Sequence, residues 1–356
     1  MTTTDPLRIG MIGVERFGAY RRKTLRETGL FRLVACYDLL PEAMAACQRE
    51  DGAQPMSDYA TLVQRDDIEA VFIATGATFH AEQAILAMEH GKHVFVEKPL
   101  CCIPEEVDAL VATAARTGRQ VGVGHADHRY APEDALVRQY QQQGKLGAIT
   151  AIEVNTTHSG GLMTSPDNWR FVPARNPGGI LFQCGVHAFH HLFGLFGPLA
   201  DVQCVMRYDI RPEVPTADAA CCLLRFQSGL IGTLNAFYVT AYNHRFRIFG
   251  TEGNLYFDTY EHRAFYQQRQ PQAPEPVIAI SEFPAVAAPT DLPGQGDTGL
   301  RSFFRAVRSG GRPCPGLLEG IRAVEAVFAC DRAALQRRAE PVREIAIVEA
   351  QRGHKA

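Results

Sequence analysis

No run of apolar residues approaches the roughly 20 that a membrane-spanning helix needs. No excess of basic charge is present either: the formal net charge is −3, which supplies no positive field for nucleic acid. Ten cysteines are scattered without a Cys-x-x-Cys pair, and the adjacent pairs Cys101-Cys102 and Cys221-Cys222 are poorly placed for ordinary disulfides. The opening residues, Met1 to Pro6, lack the basic and apolar regions of a signal peptide. These absences lead to the expectation of a cytoplasmic protein with reduced thiols, with neither membrane nor nucleic acid as a partner. What remains is ordinary for a globular protein: 46% hydrophobic and 21% charged residues in a chain of 356, long enough for two domains.

Strand-like and helix-like segments alternate in the first third. Leu7–Gly13, Phe31–Tyr37, Ala70–Ala74, His93–Val96 and Gln120–Val123 read as strands, with helices from Phe17 to Thr28, from Pro41, and up to Glu89. That alternation predicts a parallel sheet covered on both faces, ending near Gly124. After a helix over Pro132–Gln143 the pattern changes. Ile149–Thr157, Val202–Tyr208, Ala217–Phe226, Leu230–Val239, Arg245–Phe249 and Asn254–Phe257 read as strands, with Ser228-Gly229 as a hairpin turn. Gln267–Gly296 reads as an extended surface loop, Thr298–Ser309 and Leu317–Arg337 as closing helices, and the tail after Glu349 as a frayed polar end. The expected fold is an α/β Rossmann domain over residues 1–124 and an α+β domain with a largely antiparallel sheet over 125–356. The C-terminal helices are free to pack back on the first domain.

Gly13-Val14-Glu15-Arg16-Phe17-Gly18 follows the first strand and opens the first helix. Gly13 and Gly18 fill the first and third glycine places of a dinucleotide-binding loop, and the helix N-terminus attracts a phosphate. Glu15 replaces the second glycine and brings a carboxylate toward the pyrophosphate. Asp38 ends the second strand about 20 residues on, where an acid binds ribose hydroxyls and disfavours a 2′-phosphate. It equally reads as a cap for the helix at Pro41. The preferred cofactor is therefore NAD, with NADP second.

Phe72-Ile73-Ala74-Thr75 followed by His80, then Gly91-Lys92-His93-Val94 and Glu97-Lys98-Pro99, resembles the core of the glucose-fructose oxidoreductase/inositol dehydrogenase (Gfo/Idh/MocA) family. Asp67-Ile68-Glu69-Ala70-Val71 and Gly250-Thr251-Glu252-Gly253 extend the likeness across nearly the whole chain. The resemblance implies an NAD(P)-dependent oxidoreductase acting on a sugar, cyclitol or related polyhydroxylated small molecule, assembled as a homodimer or homotetramer through an open sheet. Carried over residue by residue, it makes Lys98 the catalytic lysine, followed by a proline that is often cis. It adds Thr75, Gly76, His80 and Glu97 to a cofactor set of Gly13, Glu15, Arg16, Phe17, Gly18, Asp38 and Lys98. A lysine ammonium there orients a hydroxyl and stabilises alkoxide charge.

Asn176-Pro177-Gly178-Gly179 through Gln183 to His187 resembles the family's second catalytic segment. His187 matches the proton-accepting histidine, whose ordinary pKa of about 6.5 suits that work. Gln183 and His190 stand where the family often carries acids. Read as one helix from Gln183 to Phe196, the segment lines up Gln183, His187, His190 and His191 on one side, either as a site or as a polar face. Trp169 and Arg170 offer an aromatic surface and a polyol-binding cation, or alternatively a loop anchor. Arg129 is a substrate candidate or a salt-bridge residue; His125 to His128 and Tyr242 to His244 are weaker candidates. His187 and His191 are spaced to share a metal with His125, His158 or Cys184, but the resemblance requires none and no metal is expected. The substrate set is thus Lys98, Arg129, Trp169, Arg170, Gln183, His187 and His190. Two rival functions stay open. One is a nucleotide-retaining enzyme that uses transient oxidation for elimination, hydrolysis or isomerisation. The other is a non-catalytic nucleotide-binding protein, favoured by Glu15 and the missing acids.

Overall fold

The central strand Ala70–Ile73 is buried along its whole length, because the middle of a parallel sheet covered on both faces leaves no residue a route to water. The structure is a computed structural model describing residues 5–258, 261, 263–269, 277–284, 286 and 297–347. They fall into two units, one holding residues up to 127 and the segment 297–321, the other the residues between 128 and 287 and Arg322–Glu344.

The first unit runs Leu7–Ile12 (β1), Phe17–Thr28 (α1), Phe31–Tyr37 (β2), Pro41–Asp51 (α2), Gln54–Pro55 (β3), Tyr59–Gln64 (α3), Ala70–Ile73 (β4), His80–Glu89 (α4), His93–Val96 (β5), Pro104–Thr117 (α5) and Val121–Val123 (β6). The short α3 starts where the Asp58 carboxylate accepts from Thr61 N at 2.7 Å. Helix α5 starts at Pro104 with two acids in its first turn and buries Val107, Leu110 and Thr113 on one face. The six strands are parallel in the order β3-β2-β1-β4-β5-β6. Chain direction across the sheet reverses between β1 and β4, and ligands bind at the carboxyl ends of such a switch point.

The second unit contains Pro132–Gln142 (α6), Ile149–Thr157 (β7), Gly160–Met163 (α7), Val186–Phe196 (α8), Leu199–Arg207 (β8), Ala219–Phe226 (β9), Ile231–Phe237 (β10), Asn243–Gly250 (β11), Gly253–Asp258 (β12), Arg263–Gln268 (β13) and Val277–Ala279 (β14). Later in the chain come Thr298–Ser309 (α9) of the first unit, Leu317–Gln336 (α10), which belongs to the second unit from Arg322 on, and Glu340–Pro341 (β15) of the second. The nine strands lie in the order β14-β13-β12-β11-β7-β10-β9-β8-β15, antiparallel except for the β7–β10 pair. In β9 the alternation is strict: Cys222, Leu224 and Phe226 are buried, whereas Cys221, Leu223 and Arg225 are exposed. Helix α8 covers the buried face, where Phe196 meets Phe226 and Phe246 edge-on at 6.0 and 6.1 Å.

One expectation changes. The loop expected over Gln267–Gly296 instead includes the end of β13, strand β14 and a short 3₁₀ turn at Ile280–Glu282. Pairing of β13 with β12 and of β14 with β13 made these strands, and local composition gave no sign of it. Much of the rest of that segment, like the tail after Glu349, lies outside the described residues.

One interaction gathers the first unit. The Arg21 guanidinium donates to Glu97 Oε1 at 2.5 Å, to Asp297 Oδ2 at 2.7 Å and to the Gly124 carbonyl at 3.4 Å. Both Arg21 and Glu97 are buried. Burial opposes the charge on Arg21, yet Glu97 and Asp297 together hold the guanidinium above its ordinary pKa. Removing one member strands a buried charge, so Arg21→Met is expected to cost about 3–5 kcal/mol. Adding Glu97→Met should recover part of that loss. Urea-denaturation midpoints of the two variants check this; equal loss in both contradicts it.

Candidate active site

The nucleotide loop is shaped by close backbone packing. Gly13 has φ +82°, and a Cβ there would lie 2.8 Å from the Ala74 carbonyl oxygen. A Cβ at Gly18 would collide with the Gly13 carbonyl. The loop between them is strained: Arg16, not a glycine, sits at φ +52°, and such strain concentrates at ligand-binding turns. Glu15 and Arg16 are both exposed and pair at 3.2 Å, so the guanidinium offsets the carboxylate that replaces the second glycine. Phe17 is also exposed and stacks obliquely on Tyr20 at 5.4 Å.

Asp38 does two jobs. Its Oδ2 accepts from Val14 N at 2.8 Å and Glu15 N at 3.2 Å, and its Oδ1 accepts from Leu40 N at 3.1 Å. The carboxylate therefore braces the phosphate loop and caps the approach to α2. A carboxylate has about four acceptor positions, so capacity remains for a hydroxyl.

The loops after β4 and β5 are tied together by His80. Its ring is buried, with Nδ1 2.8 Å from the Pro99 carbonyl and Nε2 3.1 Å from the Thr75 carbonyl. Burial lowers its pKa, with the nearby Lys98 charge acting in the same direction. The Thr75 hydroxyl donates to Gln83 at 2.7 Å, while Gly76 is exposed beside it. Glu97 N continues the ladder to Ile73 O at 2.9 Å, and the Lys98–Pro99 peptide is cis. Lys98 leaves the sheet here, half-buried. Glu97 Oε2 is buried with no hydrogen-bond partner among the described residues, and burial pushes its carboxyl up against the pull of Arg21. The first unit thus gathers Gly13, Glu15, Arg16, Phe17, Gly18, Asp38, Thr75, Gly76, His80, Glu97 and Lys98 on the loops at the carboxyl ends of β1, β2, β4 and β5. A glycine turn that admits close approach, a helix N-terminus and a spare carboxylate fit a dinucleotide.

The histidine segment belongs to the second unit. Gly179 has φ +55°, and a Cβ there would come within 2.8 Å of Ala217 backbone atoms, which explains the paired glycines. The expected single helix from Gln183 is replaced by a π-helical turn over Leu181–Gly185, followed by α8. The wider turn alters the i, i+4 step from Gln183 to His187; such turns recur at functional sites. His187 is exposed at the start of α8. Gln183 Nε2 is a buried amide nitrogen with no hydrogen-bond partner among the described residues.

His190 is buried, not displayed on a polar face, and its ring lies 5.3 Å from that of His128. His191 Nε2 sits 2.5 Å from Asp134 Oδ1, and its ring stacks on His128 at 4.4 Å. Burial, reinforced by His191, His190 and His187, pushes His128 down to about 2. His158 Nε2 approaches Cys184 Sγ at 3.1 Å. The three-ligand cluster formed here therefore uses His191 but not His187, His125, His158 or Cys184. Trp169 and Arg170 form a short turn in which the guanidinium lies 4.7 Å over the indole. Asn176 Nδ2 fixes that turn by donating to the Arg170 carbonyl at 2.7 Å. Arg129 is exposed against Tyr130 at 5.5 Å.

The sequence reading missed Arg21, Asp297 and Asp134. Asp297 lies 276 residues from Arg21, and no local pattern links them. Asp134 looks like an ordinary acid in a first helical turn, and only its burial marks it out.

Residues 7–125 match the oxidoreductase family with NAD-binding Rossmann fold, and residues 135–256 match the GFO/IDH/MocA C-terminal domain. Levoglucosan dehydrogenase of Pseudarthrobacter phenanthrenivorans is 27% identical over 328 residues, covering 79% of this chain and 82% of that protein. The scyllo-inositol 2-dehydrogenase (NAD(+)) of Bacillus subtilis is 28% identical over 267 residues, covering 72% and 75%. Among solved structures, an oxidoreductase domain protein from Kribbella flavida superposes with a TM-score of 0.80 at 26% identity, over 96% of this chain and 100% of the other. Levoglucosan dehydrogenase in complex with NADH and levoglucosan shares the fold, with a TM-score of 0.79 at 24% identity over the same shares. With both halves matched and the nucleotide loop in place, the chain belongs to the Gfo/Idh/MocA family of oxidoreductases.

Proposed function

We propose that the protein is an NAD-dependent dehydrogenase that oxidises a hydroxyl of a sugar, cyclitol or similar polyhydroxylated molecule, or reduces the corresponding ketone. The observation that carries this reading is Lys98 emerging half-buried from the carboxyl edge of β5, beside a loop built for a dinucleotide. The names of the relatives, levoglucosan dehydrogenase and inositol dehydrogenase, support the substrate class.

Gly13, Gly18 and the start of α1 would hold the pyrophosphate, Asp38 the adenosine ribose, and Thr75, Gly76, His80, Glu97 and Lys98 the nicotinamide side. When bound, the nicotinamide supplies the hydride acceptor or donor. Lys98 Nζ donates to the reacting oxygen and stabilises its negative charge. His187 accepts the hydroxyl proton at a ring nitrogen and returns it in the reverse direction. Gln183 Nε2, which has no hydrogen-bond partner among the described residues, donates to a substrate oxygen. Gln183 also replaces the charged orienting group, so His187 works without a carboxylate at that position. Trp169, Arg170, Arg129 and His190 complete the proposed substrate set. Oligomer formation through the outer sheet face is supported by Val205, Leu223 and Ile231, which are 75%, 56% and 55% exposed on β8, β9 and β10.

Lys98→Met should lower kcat about 10²–10³-fold with an unchanged circular dichroism spectrum; turnover at the parent rate removes Lys98 from the mechanism. Fluorescence titration should give NADH binding on the order of tenfold tighter than NADPH, with Asp38→Ala narrowing the gap. Equal affinities would contradict the role given to Asp38. Light scattering should report a dimer or tetramer that Leu223→Lys with Ile231→Lys shifts to lower mass. An unshifted mass rejects the outer sheet face as the interface.

A further inference from the structure

One polar cluster in the second unit borders His190 of the proposed substrate set but contributes no residue to that set. His128 lies in the short turn before α6, Asp134 in the first turn of α6, and His191 in the middle of α8. Each offers one ligand atom, and the three atoms lie within 4.8 Å of one another. The Asp134 side chain is only 2% exposed, whereas His191 is 21% exposed and His128 half-buried. A carboxylate so deeply buried is costly unless a cation accompanies it.

The rings around Asp134 restrict what that cation can be. His191 contacts the carboxylate at 2.5 Å, but His128 stacks on His191 at 4.4 Å with only 20° between the planes, and His190 lies 5.3 Å from His128. A divalent metal ion neutralises the buried carboxylate while taking both imidazoles as neutral ligands. Two imidazoles and one carboxylate form a ligand set of the zinc class, leaving a coordination position for water on the exposed side.

We propose that His128, Asp134 and His191 bind one divalent transition-metal ion of the zinc class. With ligands at about 2.0–2.2 Å in tetrahedral geometry, donor atoms stand about 3.3 Å apart. Binding therefore opens the His191–Asp134 contact of 2.5 Å and draws in the widest separation. The ion ties together the turn at His128, helix α6 and helix α8. His187 lies one turn before His191 on α8, so the ion fixes the rotation of the helix that carries the proposed base. The three ligands are positioning residues. Binding of the ion is independent of the dehydrogenase reading; only its consequence for His187 rests on that reading.

The test uses the full chain without a His tag, stripped with chelator and titrated with Co(II) and then Zn(II). One Co(II) per chain, with the visible absorption of a nitrogen- and oxygen-ligated site, is the expected result, and Zn(II) should raise the thermal midpoint. His128→Gln and Asp134→Asn should each weaken binding at least tenfold. His128→Gln alters a half-exposed ring, so it carries the test if Asp134→Asn fails to fold. X-ray absorption on the zinc-loaded parent protein needs no variant and should show imidazole and oxygen ligands. Absence of stoichiometric uptake, weakening of less than tenfold in a folded variant, or sulfur around the zinc each overturns the proposal. Sulfur would assign the ion instead to the buried Cys204, Cys222 and Cys330 cluster.

Discussion

The buried pairing of Arg21 with Glu97 is the constraint on which the nucleotide unit depends. Arg21 comes from α1, directly behind the phosphate loop; Glu97 directly precedes the catalytic lysine candidate; and Asp297 caps α9 by accepting from Leu300 N at 3.0 Å. One guanidinium therefore sets the distance between the dinucleotide loop and the Lys98 turn. The price is two charges withheld from water, which only good geometry and extra hydrogen bonds offset. A Cβ at Gly124 would run into the Glu97 carboxylate, so even the end of β6 is shaped around the pair. His80 adds a second clamp across the Thr75 and Pro99 carbonyls. Lys98 is long and flexible, but the peptide that carries it is held from both sides.

Much of this was legible in the sequence, and the limits are physical. Alternating apolar segments and turn residues report local preference, so the parallel strands, α9, α10 and most of the second sheet could be read directly. Gly13, Asp38 and Lys98 were picked out because each sits at the end of a strand, and His80 and Glu97 because they match the family pattern. Strands β13 and β14 could not be read, because β13 exists through pairing with β12, and β14 through pairing with β13, and not through their own composition. The π-turn at Leu181–Gly185 was hidden for a related reason: an ideal period of 3.6 residues was assumed where the chain inserts a wider turn. Long-range partners such as Asp297 for Arg21, and Asp134 for His191, leave no local trace at all.

The departures from the family pattern acquire physical explanations. Glu15, which seemed to threaten the phosphate site, is offset by its neighbour Arg16 at 3.2 Å. Gln183 leaves a buried donor with no partner among the described residues, which is costly unless something else accepts from it. His190 replaces a residue type often acidic in the family and turns inward, joining His128 and His191 instead of facing outward. The second unit has thus exchanged carboxylates close to its proposed base for a layer of histidines around a single buried Asp134.

The central claim is that this chain moves a hydride between a carbinol carbon and nicotinamide. The most direct measurement offers the enzyme and NAD a panel of monosaccharides and inositols deuterated at their carbinol carbons, then reads the mass of the reduced cofactor. Reduced cofactor heavier by one deuteron, accumulating in step with a keto product, is the predicted result. Consumption of a panel member with no accumulation of reduced cofactor, or the absence of any deuterated cofactor across the panel, would contradict the account.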